Sequence, residues 1–358
     1  MKKSLKVNKI NDLENKPVIN SMLARTIIGF FMIIVFVIII TLDKSFLIGL
    51  VCIISINLTY EMIMLTRKTG FSYVINPLVI IFVSVINFLQ HAYSALIMAF
   101  PYSRKFLPIV RFRIWSYFSY VLLFVYFVKS LKKKCLKRQF EILLAIHVVP
   151  YLTGTTCRFA IMNIIQGKYY LVMPASVVIT NDIGAYFFGK FFGRTSLFSL
   201  SPNKTIEGFI GGAISSLVVS LIFSYLKLNQ NFLPDEIDGY IKSDYILPFV
   251  YYRIPQVYIM SLYFFIGSSI LAPFAGFLAS AVKRFYRTKD FSNVFLIHGG
   301  FTDRFDCHIM MIWLTYFFLK LLKGAKISQA QAITHYLIEN FTDEEVLEII
   351  KTLNSKLN

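Results

Sequence analysis

The stretch YIMSLYFFIGSSILAPFAGFLA at Tyr258–Ala279 runs without a break into SAVKRFYRTKDFSNVFLIHGGFTDRFD at Ser280–Asp306, and the junction decides the class of this chain. The first part is long and apolar enough for a bilayer-spanning helix, which needs about 20 such residues. The second packs Lys283, Arg284, Arg287, Lys289, Asp290, His298, Asp303, Arg304 and Asp306 directly behind it. Charge beside a bilayer is costly to hold and marks function. Gly299-Gly300, followed by two carboxylates three residues apart, predicts a loop that lets backbone approach a phosphate and then presents metal ligands.

The rest of the chain has the same character. It is 56% hydrophobic and only 16% charged, against about 25% charged in soluble domains. The formal net charge of +18 does not point to nucleic acid in such a chain; Lys and Arg mark cytosolic loops and attract anionic lipid head groups. Cys52, Cys135, Cys157 and Cys307 show neither a disulfide framework nor zinc spacing, so all four are expected reduced. The abundant Phe and Tyr suit interfacial belts.

Apolar runs predict an all-α polytopic membrane protein of about nine spans. They lie near Thr26–Leu42, Phe46–Leu65, Ile75–Ala99, Tyr117–Val128, Leu143–Ile165, Tyr170–Phe188, Phe209–Tyr225, Tyr258–Ala279 and Ile309–Leu322. The third, which contains Gln90 and His91, is a candidate for a broken or tilted helix. The Tyr117 span is short unless it starts inside FRIWSYF. Residues 1–25 read as a mobile cytosolic arm, 26–170 as an N-terminal membrane region, 171–322 as a catalytic membrane region, and 323–358 as a soluble helical tail with a Thr342/Glu345 capping box. Basic loops after the second span and at Lys129–Gln139 fit the cytosol, although Ser103–Arg113 is basic on the other side. Acidic Asn229–Asp244 fits the lumen. Lys190–Glu207 and Lys283–Asp306 then share the cytosolic side.

A second dense segment, NDIGAYFFGKFFGRTSLFSLSPNKTIEGFIGG at Asn181–Gly212, holds Asp182, Lys190, Arg194, Ser201, Lys204, Thr205 and Glu207. Gly184, Gly189 and Gly193 within it permit close helix approach. Asp182 ends an apolar run and must face a cation, water or a metal. Two segments distant in sequence thus supply cations and carboxylates on one face. That is the inventory for phosphoryl or nucleotidyl transfer with magnesium: carboxylates hold the ion, and Lys and Arg neutralise developing charge. Glu61, inside the second span, reads either as a structural pairing within the spans or as a lipid-cavity group. Lys132–Lys134 reads as a topology determinant or an anionic-lipid contact.

SAVKRFYRTKDFSNVFLIHGGFTDRFD resembles the signature of the phosphatidate cytidylyltransferase (CDP-diacylglycerol synthase) family: Ser280, Lys283, Arg284, Lys289, Asp290, His298, Gly299, Gly300, Asp303, Arg304 and Asp306 fall in its register. NDIGAYFFGKFFGRT and LSPNKTIEGFIGG resemble that family's upstream runs, and PFAGFLAS is similar to its eukaryotic branch; bacterial members usually place an Asp where this chain has Gly276. Leu296-Ile297 replaces the family's Pro-Gly, and Asn203, Ile206 and Asn293 replace its Lys, Trp and Asp.

The resemblance implies transfer of CMP from CTP to phosphatidic acid, with magnesium as cofactor. It makes Asp303, Asp306 and Asp182 the metal ligands, with Asp290 beside them. Lys283, Arg284, Lys289 and Arg304 take the triphosphate and lipid phosphate. Ser201, Lys204 and Thr205 form a further phosphate strip near Arg194, with Glu207 orienting Lys204, and Ser280 donates to phosphate. His298 either protonates pyrophosphate or hydrogen-bonds within its loop. The resemblance also implies a homodimer in contact with membrane lipids, no nucleic acid partner, and an endoplasmic reticulum location with the site facing the cytosol. The charges alone also fit a CTP-dependent lipid kinase, or a transporter or scramblase.

Overall fold

The computed structural model describes residues 34–35, 37–67, 77–100, 109–198, 201–230, 232–234, 244–246, 253–292, 294, 299–340, 346–347, 349–352 and 355. The expected N-terminal arm, most of the Thr26–Leu42 span and the Thr342/Glu345 capping box lie outside these residues.

The helices are α1 (Lys44–Arg67), α2 (Pro77–Ala99), α3 (Ile109–Lys129), α4 (Leu136–Gln166), α5 (Tyr169–Phe192), α6 (Ile206–Asn229), α7 (Gln256–Ile266), α8 (Ala272–Phe285) and α9 (Thr302–Asn340). A 3-10 turn at Lys133–Cys135 precedes α4, and a π-helical turn at Gly267–Leu271 joins α7 to α8 as one apolar rod. Two antiparallel hairpins complete the described structure. β1 (Ser196–Phe198) pairs with β2 (Ser201–Thr205) between α5 and α6, with Ser196 opposite Thr205. β3 (Asp244–Ile246) pairs with β4 (Arg253–Pro255) ahead of α7.

Seven helical segments among the described residues are long and apolar enough to cross a membrane, and Ile114–Lys129 is a shorter apolar helix. These account for eight of the nine predicted positions; the ninth, Thr26–Leu42, lies mostly outside the described residues, and the count of nine is not confirmed. The observed helices differ from the predicted spans mainly at their ends. α2 is unbroken at Gln90 and His91, because both side chains find partners: Gln90 Nε2 donates to Ser116 Oγ at 3.3 Å, and the His91 ring meets Tyr151 edge-on. α3 begins at Ile109, upstream of FRIWSYF. α9 begins at Thr302 rather than Ile309, so Asp303 and Asp306 sit on its first turns, not in a loop. It runs past Leu322 to Asn340 as one helix.

Packing follows the side chains. α5 and α6 approach closely because small residues line their contact: a β-carbon at Gly184 would lie 2.4 Å from Ser215 Oγ, and one at Gly211 would lie 2.1 Å from Phe188 Cγ. Tyr169, Met173, Val177, Met260, Phe264 and Met311 form one core; Ile63, Ile80, Val83, Phe127, Ile142 and Ile146 form a second. Buried polar groups bridge helices. Thr59 and Thr153 hydroxyls lie 2.6 Å apart between α1 and α4, and Trp313 Nε1 donates to Thr156 Oγ1 at 2.9 Å between α9 and α4. With no water in hydrocarbon, such groups must satisfy one another. Apolar side chains exposed on the outside, including Trp115, Leu122, Phe191 and Ile214, suit a lipid-facing surface.

Candidate active site

The chemistry-bearing groups gather at one end of the bundle. The last turn of α8 supplies Lys283 and Arg284, the connection to α9 supplies Lys289 and Asp290, and the first turns of α9 supply Asp303, Arg304 and Asp306. The connection turns tightly. Arg287 takes φ +55° and the Thr288 N–H donates to the Lys283 carbonyl at 2.9 Å. Gly299 takes φ +79°, where a β-carbon would lie 2.8 Å from Asp303 Oδ2 and 3.3 Å from Asp290 Oδ1; only glycine fits that backbone and that gap.

Asp303 is the hub of this turn. Its Oδ1 accepts from Lys283 Nζ at 2.7 Å, and its Oδ2 accepts from the N–H groups of Phe291 (2.9 Å) and Gly300 (3.0 Å). The pair is partly buried, with the Lys283 side chain 16% and the Asp303 side chain 7% exposed. Both carboxylate oxygens are therefore engaged by donors from α8, the connection and the Gly-Gly turn.

The second motif segment comes to the same place. β2 carries Lys204 across to α8, where its ammonium stands 4.4 Å from the Phe277 ring centroid. A β-carbon at Gly276 would be 3.4 Å from Lys204 Nζ and 3.6 Å from Asp306 Oδ2, so the hairpin ammonium and the α9 carboxylate both lie over this point of α8. Asp182, exposed on α5, lies in the field of Asp306, Lys204 and Arg304, and Asp306 lies in that of Lys204 and Lys283. A band of alternating charge results, from Asp303 and Lys283 through Asp306 and Lys204 to Asp182.

The hairpin is braced locally. Thr205 is the N-cap of α6, its Oγ1 accepting from Gly208 N at 3.1 Å. Glu207 accepts from the N–H groups of Arg194 (3.1 Å) and Thr195 (3.2 Å) and from the Thr195 hydroxyl (2.9 Å), closing the hairpin against α5 while Lys204 reaches away to α8. Ser280 donates to the Gly276 carbonyl of its own helix at 2.8 Å. Arg194, Arg284, Lys289 and Arg304 are exposed. Ser201 lies in β2, with its side chain outside the described set. His298, Leu296, Ile297 and Asn293 also lie outside it.

The donor set suits a hard cation. Asp182 and Asp306 are two neighbouring carboxylates among cations, which leaves further positions to water and substrate phosphate, as magnesium prefers. Among the described residues no group of three or more His, Cys, Asp or Glu forms an all-protein metal cage.

The model of the Cytidylyltransferase family matches residues 23–322. The chain belongs to the cytidylyltransferase family. It is 32% identical over 322 residues to a phosphatidate cytidylyltransferase of Encephalitozoon cuniculi, covering 88% of this chain and 81% of that protein. It is 36% identical over 270 residues to phosphatidate cytidylyltransferase 1 of Homo sapiens (68% and 58%), and 32% over 261 residues to the phosphatidate cytidylyltransferase of Saccharomyces cerevisiae (66% and 57%). The chain thus spans under two-thirds of the human and yeast proteins.

Within this cytidylyltransferase, sequence reasoning left one participant unassigned. Glu61 of α1, 3% exposed, pairs with the first residue of the α9 span and with the connection before it. It accepts from Ser292 Oγ at 2.5 Å, Phe301 N at 2.9 Å, Thr302 N at 2.8 Å and Thr302 Oγ1 at 2.9 Å. The signal that flagged it was a carboxylate inside an apolar run; nothing local to α1 identifies partners about 240 positions away.

Proposed function

We propose that this protein is a phosphatidate cytidylyltransferase: it transfers CMP from CTP to phosphatidic acid, giving CDP-diacylglycerol and pyrophosphate. The observation that carries the reading is the meeting of Lys204 from the hairpin with Asp306 of α9 over Gly276, in a chain of the cytidylyltransferase family. Two motif segments far apart in sequence thereby make one cation-rich site at one end of an apolar helical bundle.

The phosphate of phosphatidic acid is ionised at neutral pH and needs no general base. One of its oxygens bonds to the α-phosphorus of CTP as the bond from that phosphorus to the pyrophosphate oxygen breaks. Lys283, Arg284, Lys289 and Arg304 neutralise the triphosphate and the lipid phosphate, and Lys204 does so from the hairpin side, with Ser201, Thr205 and Arg194 along the same strip. Asp303 orders Lys283 and the Gly-Gly turn. Asp182 and Asp306 hold magnesium, with Asp303 and Asp290 beside them; bound there, the ion supplies charge neutralisation of the phosphates. His298 serves the departing pyrophosphate or its own loop. The lipid enters laterally between helices and CTP enters from the cytosol. The protein works as a homodimer in the endoplasmic reticulum membrane, the location that the eukaryotic-type PFAGFLAS run suggests.

Purified protein given CTP, magnesium and phosphatidic acid will form CDP-diacylglycerol and pyrophosphate in equal amounts. Release of CDP, or no CDP-diacylglycerol where a known cytidylyltransferase succeeds, overturns the reading.

A further inference from the structure

We infer that Glu61 is a positioning residue for the reaction: from α1 it sets the placement of the turn that carries Asp303, Arg304 and Asp306. A carboxylate buried in a membrane span needs donors, and Glu61 could have drawn them from hydroxyls of its own bundle. Among the described residues its four side-chain hydrogen bonds go instead to one short region, Ser292 and Phe301–Thr302, and every partner donates.

Two of those donors are backbone N–H groups at the start of a 39-residue helix. Such groups have no acceptor within the helix, and negative charge is favourable there. α9 is therefore capped by a side chain of a different helix. The fit is close: a β-carbon at Gly300 would lie 2.6 Å from Glu61 Oε2 and 2.6 Å from Ser292 Oγ. Thr302, which Glu61 holds twice, precedes Asp303, and Gly300, which packs on Glu61, donates to Asp303 Oδ2. Releasing this clamp lets the first turn of α9 move, and misplacement of about 1 Å at reacting groups costs on the order of 100-fold in rate. The inference rests on the reading of Lys283, Asp303 and Arg304 as phosphate-handling groups.

The test uses full-length protein in detergent, with kcat, KM for both substrates, and thermal stability measured on the folded fraction. Glu61→Gln keeps the shape but turns one acceptor into a donor facing donors; the expected result is a kcat lower by about 30-fold with KM changed by less than about threefold. Thr302→Val, which removes one donor, is expected to lower kcat by about 10-fold, and Thr302→Ser, which keeps it, to restore near wild-type turnover. Gly300→Ala should cost about 100-fold alone but less than about threefold when added to Glu61→Ala/Ser292→Ala, because both side chains it would clash with are then gone. Glu61→Gln and Thr302→Val proteins that are less stable but turn over normally per folded molecule overturn the inference, as does a Gly300→Ala loss that is the same in the wild-type and Glu61→Ala/Ser292→Ala backgrounds. If Glu61 variants do not fold, the Thr302 pair decides alone. Asp303→Asn separates the two readings. Should it retain turnover, the assignment of the site fails; should it lose turnover while Glu61→Gln and Thr302→Val do not, only the role of Glu61 fails.

Discussion

Asp303 and its neighbours Asp182 and Asp306 are the same type of residue in different circumstances. Asp303 holds a partly buried ammonium and two backbone N–H groups, and removing one partner of such a pair is destabilising, by less than the roughly 3–5 kcal/mol of a fully buried pair. Asp303→Asn should therefore lower both the melting temperature and kcat. Asp182 and Asp306 form no ion pair with Lys or Arg among the described residues. Asp182→Asn and Asp306→Asn are thus expected to leave thermal stability near wild type and to raise the magnesium needed for half-maximal rate by about tenfold, the loss of one carboxylate ligand. Magnesium titration alongside thermal unfolding checks the contrast; equal magnesium dependence in all three proteins would remove Asp182 and Asp306 as ligands. The sequence, by its resemblance, puts Asp303 first as a metal ligand, with Asp306 beside it and Asp182 behind. Their spacing shows that Asp303 and Asp306 share a helix, but not that Lys283 folds onto the first and Lys204 approaches the second.

The β1–β2 hairpin is the element that brings Lys204 to α8, and its rigidity depends on how α6 begins. Thr205 caps α6, and Glu207 on the first turn holds the backbone of Arg194 and Thr195. Loss of an N-cap hydroxyl costs about 1 kcal/mol, so Thr205→Ala should lower the melting temperature and raise KM for CTP through the adjacent Lys204, while Thr205→Ser should recover most of both. An unchanged KM in Thr205→Ala would detach the hairpin from nucleotide binding. The SPNKTIEG run was legible as part of a second charged segment. Its pairing as a strand was not, because β2 is short and polar and has Pro202 as its second residue, with none of the alternation that announces a strand. The late prediction of α9 has a related cause: a helix start rich in Asp and Arg reads as loop until the donor-rich N-terminus and its distant acceptor are seen together.

Across the molecule, contacts place four connections at one end of the bundle. Glu61 near the end of α1 meets the start of α9, Lys204 of the hairpin meets α8 and α9, and Tyr286 after α8 lies in the field of Arg138 and Glu141 at the start of α4. In sealed, oriented vesicles, cysteines introduced at Arg194 and Arg287 should be modified by a membrane-impermeant maleimide from the same side as native Cys135, and a cysteine at Lys168, beyond the far end of α4, from the other. Labelling of Arg194 and Arg287 positions from opposite sides would dismantle the site. The sequence by itself determined that this is a helical membrane protein with two charged segments, because a backbone in hydrocarbon must satisfy its own hydrogen bonds and so demands long apolar runs, against which clustered charge stands out. Only the tertiary structure decided which charges meet: Lys283 on Asp303, Lys204 beside Asp306, and Glu61 on Thr302. Those pairings depend on how helices pack around Gly276 and Gly300, and the cost of leaving a buried carboxylate without a donor is met by residues that no local pattern connects.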